Sequence, residues 1–222
     1  MNKVTWGLLG IMLAALSLLS PAAVVTADHI DGKLDVCCAW NATLNDDDDP
    51  NSTLGRLTYS VSGGSQEDRA TVEDAVEDWE TAVNAAQRRN KPLLALTPAP
   101  AGAKADITIS LKKGGGVIAG MTKRRFDRQW FVKSVTISIS LKAFGVANDQ
   151  DTIGEVARHE VGHALGLGHA HADCDDLMNP TVGGEADISA ADVNGVKAAQ
   201  HWKLVDRSLI PHQPHVSTVA CP

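Results

Sequence analysis

Apolar and polar residues alternate in three stretches of the chain, which is the pattern of strands with one buried face. The alternation runs through residues 57–61, 107–111 and 134–141. Residues 93–97 form a short apolar run that also fits a strand. The sequence therefore predicts at least four strands, separated by segments of a different periodicity.

A spacing of three and four residues follows the first predicted strand and indicates an amphipathic helix. Ser65 would begin this helix, with Asp68 completing a capping pair. The apolar residues at this spacing form one stripe, which predicts a core-facing surface and no cofactor site; they are Val72, Val76, Trp79, Val83 and Ala86.

The same capping pattern predicts the beginnings of two later helices. Thr152 with Glu155 would begin one of them, and Ser189 with Asp192 would begin the last helix of the chain. In each pair the first side chain accepts from a backbone N–H of the first turn, and the acidic side chain accepts in return.

The first of these later helices carries histidines at a spacing that suits a metal. His159 and His163 are four residues apart, so their imidazoles project from one face of the helix. Gly166 can end the helix in a sharp turn that brings round His169 as a third ligand. Three protein ligands leave a position open for water, which is typical of a catalytic Zn²⁺ site. Glu160 lies where it can accept a proton from that water.

The alternative is a histidine-rich amphipathic helix that binds no metal. Three histidines, a glutamate and a glycine all occupy the offsets that the zinc pattern requires, and a match at five fixed positions rarely arises by chance. The sequence therefore favours the metal site.

A methionine lies in a predicted turn shortly after the third histidine. Residues 176–180 read Asp-Leu-Met-Asn-Pro. Taken alone this is an ordinary turn with a core methionine, but behind a zinc motif it indicates a structural turn. We predict that the Met178 side chain lies beneath the three histidines and is not a ligand.

The zinc motif followed by this methionine turn resembles the signature of the metzincin metalloproteases. Astacins and serralysins have a tyrosine near the turn, whereas the single tyrosine of this chain, Tyr59, lies far upstream. Matrixins, the family of the matrix metalloproteinases, lack that tyrosine, and the chain resembles them over residues 55–202. Further stretches similar to matrixins are residues 57–61, 75–79, 105–109 and 188–196.

The resemblance implies an α+β fold, the metzincin or zincin-like catalytic domain. Such a domain has a twisted, mostly parallel five-stranded sheet with an antiparallel edge strand, two long helices and a C-terminal helix. Residues 114–120, which are rich in glycine, are similar to the edge strand beside the cleft. The alternative for these residues is a flexible loop.

Two groups of residues are expected to contact the substrate if the resemblance holds. Main-chain groups around Ile118, Ala119 and Gly120 would hold an extended peptide as an added strand. Thr181 and Val182, after the methionine turn, would line the pocket for the side chain that follows the cleaved bond.

Residues 123–128 are rich in lysine and arginine, where matrix metalloproteinases have ligands for a second zinc and a calcium. No histidine occurs between His29 and His159, so we expect no structural zinc there. A bound Ca²⁺ is possible, but no clear motif supports it. We interpret the basic cluster as a solvated loop, with a preference for acidic substrates as the alternative.

The N-terminal 27 residues resemble a secretory signal peptide, with a basic start, an apolar run and small residues before the expected cleavage. The apolar run is short for a membrane span of about 20 residues. We therefore predict a secreted protein with an N-terminal extension at 28–54, a catalytic domain at 55–202 and a tail at 203–222.

Four cysteines occur in the chain, and export would allow them to form disulfides. Cys37 and Cys38 are adjacent, and a bridge between them is expected to be strained. We favour a bridge from each of them to a distant partner, Cys174 or Cys221. The surrounding residues depart from the matrixin propeptide motif that blocks zinc, so constitutive activity is expected.

The sequence thus predicts a secreted, zinc-dependent endopeptidase that uses a zinc-activated water and a glutamate general base. Its substrates would be peptides or proteins, and we expect a monomer with no membrane contact after signal cleavage. The net charge of −7 argues against a nucleic-acid partner. The alternative is a non-catalytic or latent zinc-binding extracellular module of the same fold.

Overall fold

A computed structural model describes residues 34–41, 55–85, 92–114, 116–170, 176–181 and 186–202. The predicted signal peptide, most of the N-terminal extension and the C-terminal tail lie outside these residues. Within them, no helix is both long enough and apolar enough to cross a bilayer.

A five-stranded sheet forms the centre of the molecule, with strand order β3-β2-β4-β6-β5. Four strands run parallel and β5 runs antiparallel to β6, which confirms the predicted fold class. The strands are β2 (Gly55–Gly63), β3 (Leu94–Pro98), β4 (Ile107–Lys112), β5 (Gly120–Phe126) and β6 (Val132–Ser140). Short pairs are formed by β1 (Leu34–Val36) with β9 (Leu167–Ala170), and by β7 (Lys142–Ala143) with β8 (Val146–Ala147).

Two long helices pack against each other and against this sheet. α1 (Gln66–Ala85) lies over β2 and β3, and α2 (Gln150–Ala164) lies over β5 and β6. The predicted apolar stripe of α1 is buried at Val72, Val76, Trp79 and Val83; Ala86 lies outside the described residues. The predicted cap is also confirmed, since Ser65 and Asp68 exchange backbone-to-side-chain hydrogen bonds of 2.8 and 3.0 Å.

The predicted cap of α2 is wrong, whereas that of α3 (Ala190–Ala199) is confirmed. α2 begins at Gln150, three residues earlier than a cap at Thr152 would place it. Asp149 is the cap instead, and its side chain accepts from Thr152 N at 2.9 Å. An aspartate is as good an N-cap as a threonine, and it precedes the threonine here. In α3, Ser189 and Asp192 form the reciprocal capping box.

The edge strand lies further along the chain than the glycine-rich stretch predicted. Of residues 114–120 only Gly120 belongs to β5, and the strand continues to Phe126. Residues 123–126 are therefore strand and not the solvated loop that their charge suggested. Lys123 and Arg125 are exposed, but Arg124 alternates with them and is partly buried. Charge hid this alternation in the sequence.

Residues 34–41 pack against the end of α2 and against α3. β1 pairs antiparallel with β9, and Trp40 is buried, with its Nε1 donating to Ala164 O at 2.8 Å. The Trp40 backbone N–H donates to Gln200 Oε1 at 2.9 Å. The domain boundary at residue 55 stays a prediction, although this segment is integrated with the domain.

The structure contradicts the favoured cysteine pairing. Cys37 and Cys38 are bonded to each other, whereas Cys174 and Cys221 lie outside the described residues. The backbone of both cysteines is held in place, since Cys37 N donates to Gly166 O at 2.8 Å and Cys38 O accepts from Gln200 Nε2 at 3.3 Å. These two hydrogen bonds fix the backbone at the bridge.

Candidate active site

The structure brings together the three predicted metal ligands. α2 carries His159 and His163 on one face, and β9 carries His169. A ligand nitrogen from each lies within 4.8 Å of the other two. The ring centroids are 4.6 to 5.4 Å apart. The trio is therefore compact enough to share one ion.

Gly166 makes the turn that brings His169 to the other two histidines. Its φ is +104°, in the region that side chains rarely adopt. A Cβ at this position would also collide with Cys38 O. The helix ends with Leu165 N donating to Val161 O at 2.9 Å and Gly166 N donating to His163 O at 3.1 Å. The predicted role of this glycine is confirmed by its backbone.

Backbone carbonyls orient two of the histidine rings. The Nδ1 atom of His159 lies 2.6 Å from Leu177 O, and that of His163 lies 2.9 Å from Leu167 O. Because a carbonyl only accepts, we assign the ring proton to Nδ1 in both histidines. The lone pair of each ring is then on Nε2, which is the arrangement that metal-ligating histidines adopt.

Burial keeps these histidines in the neutral form that binds metal. Burial lowers the pKa of His159 to about 4, partly offset by its hydrogen bond to Leu177 O. Burial also lowers the pKa of His163 well below its ordinary value, and that of His169 to a smaller extent. Neutral imidazoles at this spacing suit Zn²⁺.

The methionine turn lies under α2. Asn179 N donates to Asp176 O at 2.9 Å to close the turn, and Ala170 N donates to Met178 O at 2.7 Å. The Met178 side chain is fully buried. A Cβ added to Gly162 would lie 2.6 Å from Met178 Sδ, so the methionine packs directly against the helix between His159 and His163.

Glu160 is buried against the edge strand. Its side chain has no exposed area, and its Oε2 accepts from Thr122 Oγ1 at 2.5 Å. The Thr122 hydroxyl also lies 3.1 Å from Glu160 O. A Cβ at Gly120 would collide with Glu160 Oε1. The carboxylate is therefore held in one position by β5.

The predicted substrate-binding residues have different surroundings. Gly120 packs on Glu160, and Ala119 is buried, with its carbonyl accepting from Ser140 N at 2.8 Å. Ile118 is 39% exposed, and Thr181 is also exposed. Val182 lies outside the described residues. Contact of these residues with substrate stays a prediction.

Sequence reasoning missed two residues of this site, Thr122 and Arg124. Both side chains point from β5 towards α2. Their shared signal is the alternation of more buried and less buried positions along residues 120–125. That alternation was obscured because Arg124, a charged residue, occupies an inward position.

Comparisons with known proteins were made by family, by curated sequence and by solved structure. A search of curated proteins finds no match. Among solved structures, two of myroilysin are similar. The first has 13% identity and a TM-score of 0.43, and the match covers 67% of this chain and 94% of that one. The second has 14% identity and a TM-score of 0.44, and the match covers 80% of this chain and 96% of that one.

A third similar structure is high choriolytic enzyme 1, a hatching enzyme zinc-protease from Oryzias latipes, the medaka fish. Its identity is 19% and its TM-score 0.33, with 61% of this chain and 55% of that one covered. The assignment comes from the family model for matrixins, which matches residues 48–200. The chain belongs to the matrixin family of zinc metalloproteases.

Proposed function

We propose that this protein is a secreted zinc-dependent endopeptidase. The observation that carries the proposal is the meeting of three neutral histidines with a buried glutamate. His159, His163 and His169 share one small volume, and Glu160 follows His159 on the same helix. A purely structural zinc site would not need that carboxylate.

The three histidines would hold one Zn²⁺, which when bound supplies a Lewis acid that activates water and polarises a carbonyl. The Glu160 carboxylate, with Oε2 held by Thr122, accepts the proton of the attacking water. It then delivers this proton to the leaving amine. Met178 supports the helix from below and takes no part in the proton transfers.

The edge strand would hold the substrate. β5 is the last strand in the sheet order, and no other described strand pairs with its outer edge. An extended peptide can add to such an edge through main-chain hydrogen bonds. Ile118, Ala119 and Gly120 would position it there, and Thr181 and Val182 would lie beyond the cleaved bond.

We also propose that the protein acts outside the cell as a monomer on peptide or protein substrates. The acidic net charge of −7 gives no support for nucleic-acid binding. A non-catalytic or latent zinc module remains the second candidate, because it would hold the same three histidines.

Metal dependence tests the proposal. The purified protein should contain about one Zn²⁺ per chain, chelation should abolish cleavage of a mixed peptide library, and added zinc should restore it. His169→Asn should lose the metal, whereas the control His201→Asn, at an exposed residue with φ +60°, should keep it. Cleavage that survives complete chelation would rule out the mechanism, and stoichiometric zinc without any cleavage would favour the non-catalytic module.

A further inference from the structure

Arg124 is the one residue of the basic run 123–125 whose side chain turns inward. Its Nε donates to His163 O at 2.8 Å, and its Nη2 donates to Leu167 O at 2.6 Å. Lys123 and Arg125, on either side of it, are exposed. One side chain on β5 therefore contacts both the end of α2 and the beginning of β9.

Both acceptors belong to the metal site. His163 O is a carbonyl of the last turn of α2, where the helix dipole favours a cation. Leu167 O accepts from Arg124 and also from Nδ1 of His163, which lies 2.9 Å away. Leu167 O orients the His163 ring, and Arg124 in turn fixes the position of Leu167 O. Arg124 therefore acts on a proposed metal ligand through this carbonyl.

The guanidinium suits this position better than any other side chain. Its planar fork reaches two carbonyls at once, which an ammonium group cannot do with the same geometry. Burial lowers the pKa of Arg124 to about 10, with the nearby Glu160 carboxylate opposing the change. The side chain is thus charged at neutral pH, and hydrogen bonds from a charged donor are the stronger ones.

We propose that Arg124 is a positioning residue that fixes the His163 ring and the turn to His169, and ties both to the strand that binds the substrate. The inference rests on the proposed function, since it assigns Arg124 to the same zinc site. Partners of ligating histidines commonly contribute 10–100-fold to metal affinity. We expect a contribution of that order here.

The test compares Arg124→Met with Arg125→Met, a change of the same chemistry on the exposed side of the same strand. Zinc affinity is measured by competition with a chromophoric chelator, and the stability of the metal-free protein by thermal unfolding. The absorption spectrum of the Co²⁺-substituted protein reports the ligand geometry. Arg124→Met should weaken zinc binding by about 10–100-fold and alter the Co²⁺ spectrum, whereas Arg125→Met should change neither.

Arg124→Lys keeps the charge but cannot make both bonds in the same way. It should fold like the parent and still bind zinc more weakly, so it also decides the matter if Arg124→Met does not fold. If the Arg124 variants lose only stability, with zinc affinity and the Co²⁺ spectrum of the folded protein unchanged, Arg124 is a helix-capping residue and the inference is wrong.

These measurements separate the inference from the proposed function. Zinc affinity and the Co²⁺ spectrum need no substrate, so they can support the role of Arg124 even if the parent protein cleaves no peptide. In that case the proposed peptidase activity fails and the positioning role stands. If the parent cleaves peptides and Arg124→Lys binds zinc as tightly as the parent, only the positioning role fails.

Discussion

The two sides of the candidate cleft are built from contacts of very different range along the chain. The zinc-ligand segment, residues 159–170 with the turn at 176–178, orients His163 and His159 through carbonyls 4 and 18 residues away. The edge strand β5 reaches the same site across 38 residues to Glu160 and across 39 and 43 residues to its two carbonyl acceptors. Helix period and a glycine turn specify the first side, whereas sheet register specifies the second.

The two sides of the site therefore differ in role. The zinc-ligand segment provides the proposed metal ligands, whereas β5 positions Glu160, the proposed base. The zinc-ligand segment supplies the three histidines and the carbonyls that orient two of their rings, one of which Arg124 also contacts from β5. The Glu160 carboxylate, by contrast, depends on β5 for its position through Thr122 and Gly120. Changes in β5 at these two residues should therefore affect turnover more than metal content.

Among the changes that test this difference between the two sides, Gly120→Ala should have the largest effect, which is a loss of turnover at unchanged zinc content. The added Cβ collides with Glu160 Oε1, so the carboxylate must move. A displacement near 1 Å can cost about 10²-fold in rate, and the three atoms nearest to the added Cβ all belong to Glu160. Turnover and zinc content are measured on the same preparation, with Gly116→Ala as the control, because a Cβ there meets no atom closer than 4.0 Å. Turnover equal to that of the control would show that β5 does not position the base.

Acidification should affect the zinc-ligand segment of the metal-free protein. His159 has a folded pKa of about 4, lowered by burial, whereas an unfolded histidine titrates near 6.5. Below pH 6.5 the unfolded state therefore binds more protons, and stability is lost as the pH falls towards 4. The loss from His159 alone is on the order of 3 kcal/mol.

Thermal unfolding of the chelated protein at several pH values measures how steeply stability falls with pH. The same series on His159→Gln removes the titrating group and should show a shallower slope. Identical slopes for the two proteins would mean that His159 titrates normally in the folded state.

Removal of the bridge between Cys37 and Cys38 should have the smallest effect on stability and activity. Cys37 and Cys38 are bonded to each other, so neither thiol is available to block the metal. A bridge between adjacent residues closes almost no chain, so it restricts the unfolded state little. The double change to serine should cost much less stability than the roughly 2–4 kcal/mol of a typical disulfide, and mercurials should not activate the protein.

Peptide mapping by mass spectrometry under non-reducing conditions identifies the bridge directly. A bond from Cys37 or Cys38 to Cys174 or Cys221 would contradict the structure. A free Cys37 thiol whose modification raises activity would make residues 28–54 inhibitory.

Much of the fold follows from local patterns in the sequence. The stripe Val72, Val76, Trp79 and Val83 and the capping box at Ser189 depend on residues within a few turns, and both are confirmed. The predicted cap of α2 is wrong because aspartate and threonine are both good N-caps. Local preference does not decide between Asp149 and Thr152.

The unpredicted parts of the site depend on contacts between distant segments. Arg124 looks like a surface residue in the sequence, and its inward position is explained by two distant acceptors, His163 O at the end of α2 and Leu167 O at the beginning of β9. The pairing of β1 with β9 joins residues more than a hundred positions apart. Such partners leave no spacing signal in a single chain.

Glu160→Gln tests the central claim most directly, because it removes the base and leaves the three ligands in place. The glutamine keeps the shape of the side chain and can still accept from Thr122. Zinc content should stay near one per chain while turnover falls by about 10²–10⁴-fold or more. Asp151→Asn, an exposed change on the same helix, should leave both values unchanged. Turnover of Glu160→Gln within a few-fold of the parent, at equal zinc content, would contradict the account.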